Sequence, residues 1–360
     1  MRSKKIKEKI HACKVVMIPY IEASGSPWDI GHRIGLELRG NFQVLKGRFD
    51  DRIEKSMGNE AFRKKVGPLI SFSEQHVPLC VEEIRGMAEG ADVPFVSLFG
   101  MNAMQEIMFQ PRGCSSLAVP QDGTQDGVVL LAHNEDNDHA LSDHTYLIKG
   151  EPDEEPAFLA FAYGGFTLNQ GFNDRGIGSV GNALYSNDLK PGIPKLLAYR
   201  EIMRSTFIED AIRRCIRPER ANGNNHIIAN EDGEIYDLEV SAMRYGLIYA
   251  GGSFLAHTNH FTKAGMLDLD GWADLLNSRI RLNRLNRMLE ERFGRIDIET
   301  LKVILSDHVN YPKSICKHVE AGVNETVATI GSVIIDLTNR SLMATSGNPC
   351  KGTFVEIRLN

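Results

Sequence analysis

The segment Pro111-Arg112-Gly113-Cys114-Ser115-Ser116 marks the point where the character of this sequence changes. The stretches before it, residues 30–42 and 50–89, are rich in helix-forming residues. After it, short apolar and β-branched runs alternate with turn dipeptides such as Asp122-Gly123. Helices followed by strands at hairpin spacing, with further helices between them, predict an α+β fold built from layers of antiparallel sheet and helix. The sequence has no Walker A motif and no GxGxxG after a strand, which argues against a nucleotide-binding fold.

Helix boundaries in the first third are predicted from proline and glycine. Pro68 and Pro78 are expected to divide residues 50–89 into separate helices, because proline disrupts a helix interior. Gly90 is expected to end the last of them, since glycine is favoured just past a helix terminus. Later in the chain, residues 277–293 carry apolar side chains at helical spacing and predict a further helix.

Length and composition exclude several classes of protein. The chain has 360 residues, 42% hydrophobic and 24% charged, which is ordinary for a globular enzyme with a sizeable core. A net charge of −6 provides no basic field for nucleic acid. No apolar run approaches the roughly 20 residues of a membrane span, and the basic N-terminus is followed by no apolar signal segment. Six cysteines without a CxxC pair predict neither a disulfide framework nor a structural zinc site, so we expect a cytoplasmic protein without a metal.

Cys114 is the residue whose setting suggests chemistry. Most free cysteines are small buried hydrophobic residues, and that is the simpler interpretation. A nucleophilic cysteine of the papain kind needs a histidine, which His133, His257 or His260 provides in principle. A second solution needs no histidine. If the Gly113–Cys114 bond is cut, the new α-amino group of Cys114 has a pKa near 7.7–8.0 and can act as the general base.

Six segments in order give a resemblance to a known family. The chain resembles the acyl-coenzyme A:6-aminopenicillanic acid (isopenicillin N) acyltransferase family of N-terminal nucleophile hydrolases, which also includes β-alanyl-amine hydrolases. Each segment alone is weakly diagnostic, whereas their order along most of the chain is specific. The segments are Gly25–Gly31, Glu82–Gly90, Gly113–Ser116, His133–Asp136, His257–His260, and Asn310–Pro312 with Ser314–Cys316.

The resemblance implies a fold and a maturation step. It implies a four-layer αββα sandwich formed by a single catalytic domain. It also implies that a precursor cuts itself between Gly113 and Cys114, leaving a small chain (1–113) and a large chain (114–360) that stay associated.

The resemblance further assigns roles to individual residues. Cys114 would be the nucleophile and Asp136 would hold its new amino group. Asn259 would donate to the oxyanion, and Asn182 would contact the amino terminus or the substrate carbonyl. Arg279 would polarise the cysteine region. Four further residues would bind substrate or support the site: Gly165, Phe166, Asn310 and Ser314.

Other interpretations of these residues are simpler. Asp136 lies in the polar run Glu135–Asp138, which is also typical of a solvated turn, although it lacks the glycine and final glutamate of a calcium loop. Glu135 stands where the family usually has tryptophan. His257 and His260 lack the HExxH motif or third ligand of a zinc enzyme. Arg279 shares a basic helix with Arg281 and other arginines, so it is equally consistent with a surface charge.

The same thioester chemistry serves two reactions. Water as acceptor gives an amidase, which is the favoured prediction, acting on a small linear N-acyl amide without a cofactor. An acyltransferase would use a coenzyme A thioester as co-substrate and would need clustered basic residues for its phosphates. A non-processed binding protein that keeps only the fold is the alternative from another class. The expected partners are a small molecule and the two cleaved chains themselves, with a homodimer of these pairs possible.

Overall fold

The computed structural model describes residues 18–108, 113–271, 275–319 and 326–359. Pro111 and Arg112 lie outside these ranges. Two sheets make up the centre of the described chain, and helices cover the outer face of each.

The larger sheet has eight strands. Their spatial order is β1-β4-β5-β6-β7-β8-β9-β10, and all pairs are antiparallel except β1 with β4. The strands are β1 Tyr20–Gly25, β4 Thr145–Pro152, β5 Phe158–Tyr163, β6 Gln170–Asn173, β7 Ile177–Ala183, β8 Asn224–Asn230, β9 Ile235–Val240 and β10 Tyr245–Tyr249.

The smaller sheet has six strands, all antiparallel. Their spatial order is β11-β2-β3-β12-β13-β14. Cys114 is the first residue of β2, directly opposite Glu135 of β3. The strands are β2 Cys114–Val119, β3 Leu130–Asp138, β11 Leu255–His257, β12 Val327–Asp336, β13 Ser341–Ser346 and β14 Val355–Arg358.

Helices form the two outer layers. Eight of them share one hydrophobic cluster with the eight-stranded sheet, and the last two share another with the six-stranded sheet. The first group is α1 Pro27–Glu37, α2 Arg39–Ser56, α3 Gly58–His76, α4 Pro78–Ala91, α5 Phe95–Asn102, α6 Met104–Ile107, α7 Lys195–Ile202 and α8 Ile208–Ile216. The second group is α9 Leu276–Glu290 and α10 Ile298–Leu305.

A third cluster fills the space between the sheets. Phe161 and Phe172 from the larger sheet meet Val333 and Ile335 from the smaller one, and all four are fully buried. The order of layers is therefore helix, sheet, sheet, helix. The predicted α+β four-layer sandwich is confirmed.

Two helices of the first layer approach each other unusually closely. A Cβ on Gly31 of α1 would lie 1.9 Å from the Glu83 carbonyl oxygen, and one on Gly90 of α4 would lie 2.2 Å from that of His32. Only glycine allows backbones to come this near. Gly90 is thus an interior packing residue, and the prediction that it ends the helix is wrong. The helix ends one residue after it, and Asp92 takes the left-handed conformation with φ 56°.

Two helix boundaries are expected at prolines, and the structure confirms one of them. Pro78 begins α4, as expected. Pro68 lies inside α3, so the predicted division there is wrong. The break falls instead between α2 and α3, at Met57 and Gly58, where the Gly58 φ of +75° lies outside the helical region. None of the described helices is long and apolar enough to cross a bilayer.

Candidate active site

The site lies between the two sheets, at the start of β2. Cys114 is buried there, with 4% of its surface exposed. Its pocket is bounded by the strand ends of both sheets and by α7. The lining residues are Gln105, Gly113, Cys114, Glu135, Tyr163, Asn169, Gly181, Ala183, Lys195, Leu196, Tyr199 and Asn224.

One asparagine holds both functional atoms of Cys114. The Asn259 Oδ1 accepts the Cys114 N–H at 2.9 Å, and its Nδ2 donates to the Cys114 sulfur at 3.1 Å. The same Nδ2 also donates to the Ala183 carbonyl, and the Asn259 N–H donates to the Ser278 hydroxyl. This side chain therefore orients the nitrogen and the sulfur of the cysteine together.

The arginine at the site is Arg281 rather than the predicted Arg279. Arg281 is buried and donates to the Cys114 carbonyl, to the Ser115 hydroxyl at 2.9 Å and to Asn259 Oδ1 at 2.7 Å. Arg279 is exposed on the same helix. Two residues correspond to about 200° around a helix, so the structure cannot bring both to Cys114.

This difference gives a direct test with matched variants. We expect Arg281→Ala to slow turnover by on the order of 100-fold, because it removes a buried cation that orients Cys114 and Asn259. Arg279→Ala should stay within about twofold of wild type, as exposed positions usually do. Steady-state kinetics on both variants, with melting temperatures beside them, checks this. A large loss in Arg279→Ala with Arg281→Ala unaffected would restore the original assignment.

Asp136 lies against the predicted cleavage bond. Its backbone N–H donates to the Gly113 carbonyl at 3.0 Å, and a Cβ on Gly113 would lie 2.6 Å from its Oδ2. Its Oδ1 accepts the Thr329 hydroxyl at 2.7 Å, whereas Oδ2 is buried without a hydrogen-bond partner among the described residues. Burial raises the pKa of this carboxyl, and Arg281 opposes the effect. A carboxylate oxygen is therefore free beside the bond that processing would cut.

Glu135 is a second buried carboxylate at the site. Its oxygens accept hydrogen bonds from Tyr163 and Asn169, and His133 lies 3.1 Å away. Burial raises the pKa of the Cys114 thiol to about 11, and the charge of Glu135 adds to this effect. The thiol is consequently protonated at neutral pH in the uncut chain and needs a base to become a nucleophile.

The histidines have other partners. His133 contacts the Ser116 hydroxyl, His257 contacts Glu239 at 3.0 Å, and His260 contacts Ser278 at 2.8 Å. Within the described ranges, no histidine ring hydrogen bonds to the Cys114 sulfur. This arrangement gives no support to a histidine-dependent peptidase.

Asn182 is fully buried at the end of β7. Its side chain lies near enough to the sulfur to lower the pKa of the Cys114 thiol. Neither its Nδ2 nor its Oδ1 makes a regular hydrogen bond to the part of the chain that is described. A buried amide whose one polar contact within the described chain is a weak one with the Cys114 sulfur is available to an incoming carbonyl oxygen.

A larger cavity of about 170 Å³ adjoins the nucleophile pocket. Lys195 lines both, so it stands at their junction. Its Nζ is buried without a hydrogen-bond partner among the described residues, and burial lowers its pKa to about 8. Phe166, the residue predicted as a pocket wall, is among the residues that line the larger cavity. Gly165 lies behind this wall, with its carbonyl held by Asn102.

Two predicted substrate contacts lie elsewhere. Asn310 is exposed and donates to the Lys313 carbonyl, while the buried Ser314 hydroxyl donates to the Cys316 carbonyl. Both bonds stay within the loop that follows α10, and neither residue lines either of the two cavities at the nucleophile. These residues shape their own loop instead.

Sequence reasoning missed three residues of this site. The sequence distinguishes Glu135 only by the fact that the family usually has tryptophan at this position, and this assigns it no role in the site. Arg281 lies two positions from the chosen arginine, and the burial pattern of α9, with Ser278, Arg281 and Leu285 facing inward, is the signal that identifies it. Lys195 carries no recognisable sequence signal, since it follows Pro194 at the start of a short helix.

Comparison with known proteins finds a curated relative and several solved structures of similar chains. A relative in Drosophila melanogaster, a beta-alanyl-dopamine/carcinine hydrolase, is 23% identical over 229 residues, covering 54% of this chain and 56% of that protein. The chain thus spans about half the length of this relative. Conjugated bile acid hydrolase from Clostridium perfringens is similar with a TM-score of 0.46 and 13% identity, covering 69% of this chain and 97% of that one. Penicillin V acylase from Agrobacterium tumefaciens gives a TM-score of 0.44 and 10% identity, covering 68% and 86%.

The decisive match is to a family model. Residues 123–351, more than half of the chain, match the model of acyl-coenzyme A:6-aminopenicillanic acid acyl-transferase. The chain therefore belongs to the acyl-coenzyme A:6-aminopenicillanic acid acyl-transferase family.

Proposed function

We propose that this chain is an autoprocessed amidohydrolase with Cys114 as its amino-terminal nucleophile. It cuts itself between Gly113 and Cys114 and then hydrolyses small linear N-acyl amides through a thioester. The observation that carries the proposal is the Asn259 side chain, which binds both the nitrogen and the sulfur of Cys114. A cysteine that only fills space in the core does not need hydrogen bonds that orient both its nitrogen and its sulfur.

The self-cleavage step follows from the contacts of Gly113. The Cys114 sulfur attacks the Gly113 carbonyl carbon, and the Asp136 N–H that already bonds its oxygen stabilises the developing oxyanion. The C–N bond breaks as the proton lost by the thiol passes to the departing nitrogen, which leaves Gly113 as a thioester on Cys114 and a free α-amino group. Water then hydrolyses this thioester. A side chain at position 113 would clash with Asp136, so glycine suits the step.

The freed α-amino group then provides the base that the buried thiol lacks. It takes the thiol proton as the sulfur attacks the substrate carbonyl, and it returns that proton to the leaving amine. Water resolves the thioester and releases the acid. Asn259 and the free oxygen of Asp136 support the new amino group, and the Asn182 amide, which makes no regular hydrogen bond within the described residues, donates to the substrate oxygen.

The two products of cleavage remain one structural unit in this proposal. Strand β1 belongs to residues 1–113 and β4 to residues 114–360, yet the two pair along six positions. Helices α1–α5 also share a hydrophobic cluster with strands of the large chain. Separating the chains would expose that cluster, so association should survive cleavage.

The cavities favour a small substrate. A cavity of about 170 Å³ is close to the size, about 150 Å³, that holds a benzene ring. Apolar residues such as Phe49 and Leu141 line it, and Lys195 stands at its junction with Cys114. The Drosophila relative is named for hydrolysis of beta-alanyl-dopamine and carcinine. We infer that one substituent of an amide fills this cavity while its carbonyl reaches the sulfur.

The arginines of α9 favour hydrolysis over transfer from coenzyme A. A phosphate-binding cluster needs free cations. Here Arg284 pairs with Asp307 at 2.6 Å, Arg287 pairs with Glu291 at 3.6 Å, and Arg281 is buried at Cys114, which leaves the exposed Arg279. Water is therefore the preferred acceptor.

A substrate screen tests the proposed activity. Purified full-length protein is incubated with a panel of N-acyl amides, and the released amine and acid are quantified with and without coenzyme A thioesters. We expect equal amounts of acid and free amine without any thioester. If acyl transfer occurs only with a coenzyme A thioester, the chain is an acyltransferase rather than a hydrolase. If no amide reacts under either condition, both proposed activities are wrong.

Glu135 allows a pH prediction. Its charge disfavours the thiolate, so Glu135→Gln should lower the pKa of the Cys114 thiol. The pH midpoint for alkylation of Cys114 by iodoacetamide, followed by mass spectrometry of the Cys114 peptide, should fall accordingly. Alkylation near neutral pH should then be faster in the variant.

The matched control is Glu151→Gln, because Glu151 is an exposed glutamate of β4. It should leave the alkylation midpoint unchanged. An unchanged or higher midpoint in Glu135→Gln would show that this carboxylate is not a charge acting on the sulfur.

A further inference from the structure

Four metal-ligating side chains meet outside the active site. They come from the loop after α10 and from the segment after β13, so no short sequence motif joins them. Their ligand atoms all lie within 4.8 Å of one another. The residues are His308, Cys316, His318 and Cys350.

Four of the six separations between the ligand atoms are close to the edges of a zinc tetrahedron. With Zn–S near 2.3 Å and Zn–N near 2.0–2.1 Å, tetrahedral geometry requires about 3.8 Å between sulfurs, about 3.6 Å between sulfur and nitrogen and about 3.3 Å between nitrogens. The two sulfurs are 3.6 Å apart, and His318 Nε2 lies 3.5 Å from each of them. The two histidine Nε2 atoms are 3.1 Å apart.

We propose that His308, Cys316, His318 and Cys350 form a structural zinc site. Two thiolates and two imidazoles are a ligand set that zinc prefers, and four protein ligands leave no position open for catalysis. The Asn348 Nδ2 donates to the Cys316 sulfur and to the Lys317 carbonyl, which is the kind of support that orients a metal ligand. The sequence predicts no metal site because it contains no paired CxxC motif.

Hydrogen bonds connect the proposed metal site to Asp136 in the active site. Lys317 lies between two ligands, and its backbone exchanges hydrogen bonds with Thr329. Thr329 in turn donates to Asp136 beside Gly113. Asn134 of β3 also donates to the Leu305 and Ile315 carbonyls of the same region. Zinc would thus fix the loop that holds Asp136 in place.

Metal analysis of the purified full-length protein tests the site. After dialysis against metal-free buffer we expect about one zinc per chain. His318→Ala should retain less than about a tenth of that, and the buried Cys215→Ala, a cysteine outside the cluster, should retain it all. The melting temperature should fall in His318→Ala and, with a chelator, in the wild type.

A second measurement does not depend on the variant folding. Wild-type protein stripped of metal and given Co²⁺ should show the intense visible absorption of tetrahedral cobalt bound by thiolate, and Zn²⁺ should abolish it. Protein without metal and without this cobalt spectrum would overturn the proposal. So would a Cys316–Cys350 disulfide, visible as a loss of two mass units under denaturing conditions. A stoichiometric metal other than zinc would overturn the assignment of zinc.

Discussion

We expect Cys114→Ala protein to keep its full length of 360 residues while the wild-type chain separates into 1–113 and 114–360. Alanine removes the sulfur that attacks the Gly113 carbonyl, so no thioester can form at that bond. Turnover of amides should disappear together with processing, because the same sulfur carries both reactions. Intact mass under denaturing conditions measures the first effect, and amine release measures the second.

The controls separate chemistry from folding. Cys215→Ala changes a buried cysteine that does not line the nucleophile pocket, and this variant should process normally. Cys114→Ser keeps the size and polarity of the side chain. Since a hydroxyl is the weaker nucleophile near neutral pH, that variant should process slowly and hydrolyse poorly.

Two results would count against the assignment. Full amidase activity in Cys114→Ala would remove Cys114 from the mechanism altogether. An uncut wild-type chain that still turns over amides would show that the α-amino group is unnecessary. The base would then have to be a group already present, with Glu135 the carboxylate in the same pocket.

The sequence predicts the layers well because they depend on local patterns. Short apolar and β-branched runs give strands such as β12, whereas Gly90, predicted to end α4, is a packing residue inside it. Helix ends are harder, since Pro68 is tolerated within α3 while Gly58 makes the break. What decides them is the tertiary environment.

The residues of the candidate site also fall into two groups, those that the sequence identifies and those that only the tertiary structure identifies. Cys114, Asp136, Asn182 and Asn259 stand in recognisable segments, and the structure brings all four together. Arg281 can be identified only from which face of α9 is buried. Arg279, two residues earlier, lies on the exposed face of the same helix. The metal ligands could not be predicted from sequence spacing, because Cys350 is 34 residues from Cys316 along the chain and meets it only in the folded structure.

The two asparagines of the site should prove to have different functions. Asn259 binds the nitrogen and sulfur of Cys114, so Asn259→Ala should impair both self-cleavage and turnover. Asn182 is buried without a regular hydrogen bond in the described chain, so Asn182→Ala should impair turnover while self-cleavage continues. Losing one oxyanion donor typically costs on the order of 100- to 1000-fold in rate, and we expect turnover to fall in that range for each variant.

The experiment follows both reactions in the same preparations. Intact mass over time gives the rate of processing, and amine release by the processed fraction gives turnover. His133→Gln serves as the comparison, because a histidine-dependent peptidase would lose activity there while an amino-terminal nucleophile would not. If Asn182→Ala blocks processing and Asn259→Ala processes normally, the two roles are reversed. If His133→Gln loses turnover while both asparagine variants keep it, the base is a histidine and the amino-terminal mechanism is wrong.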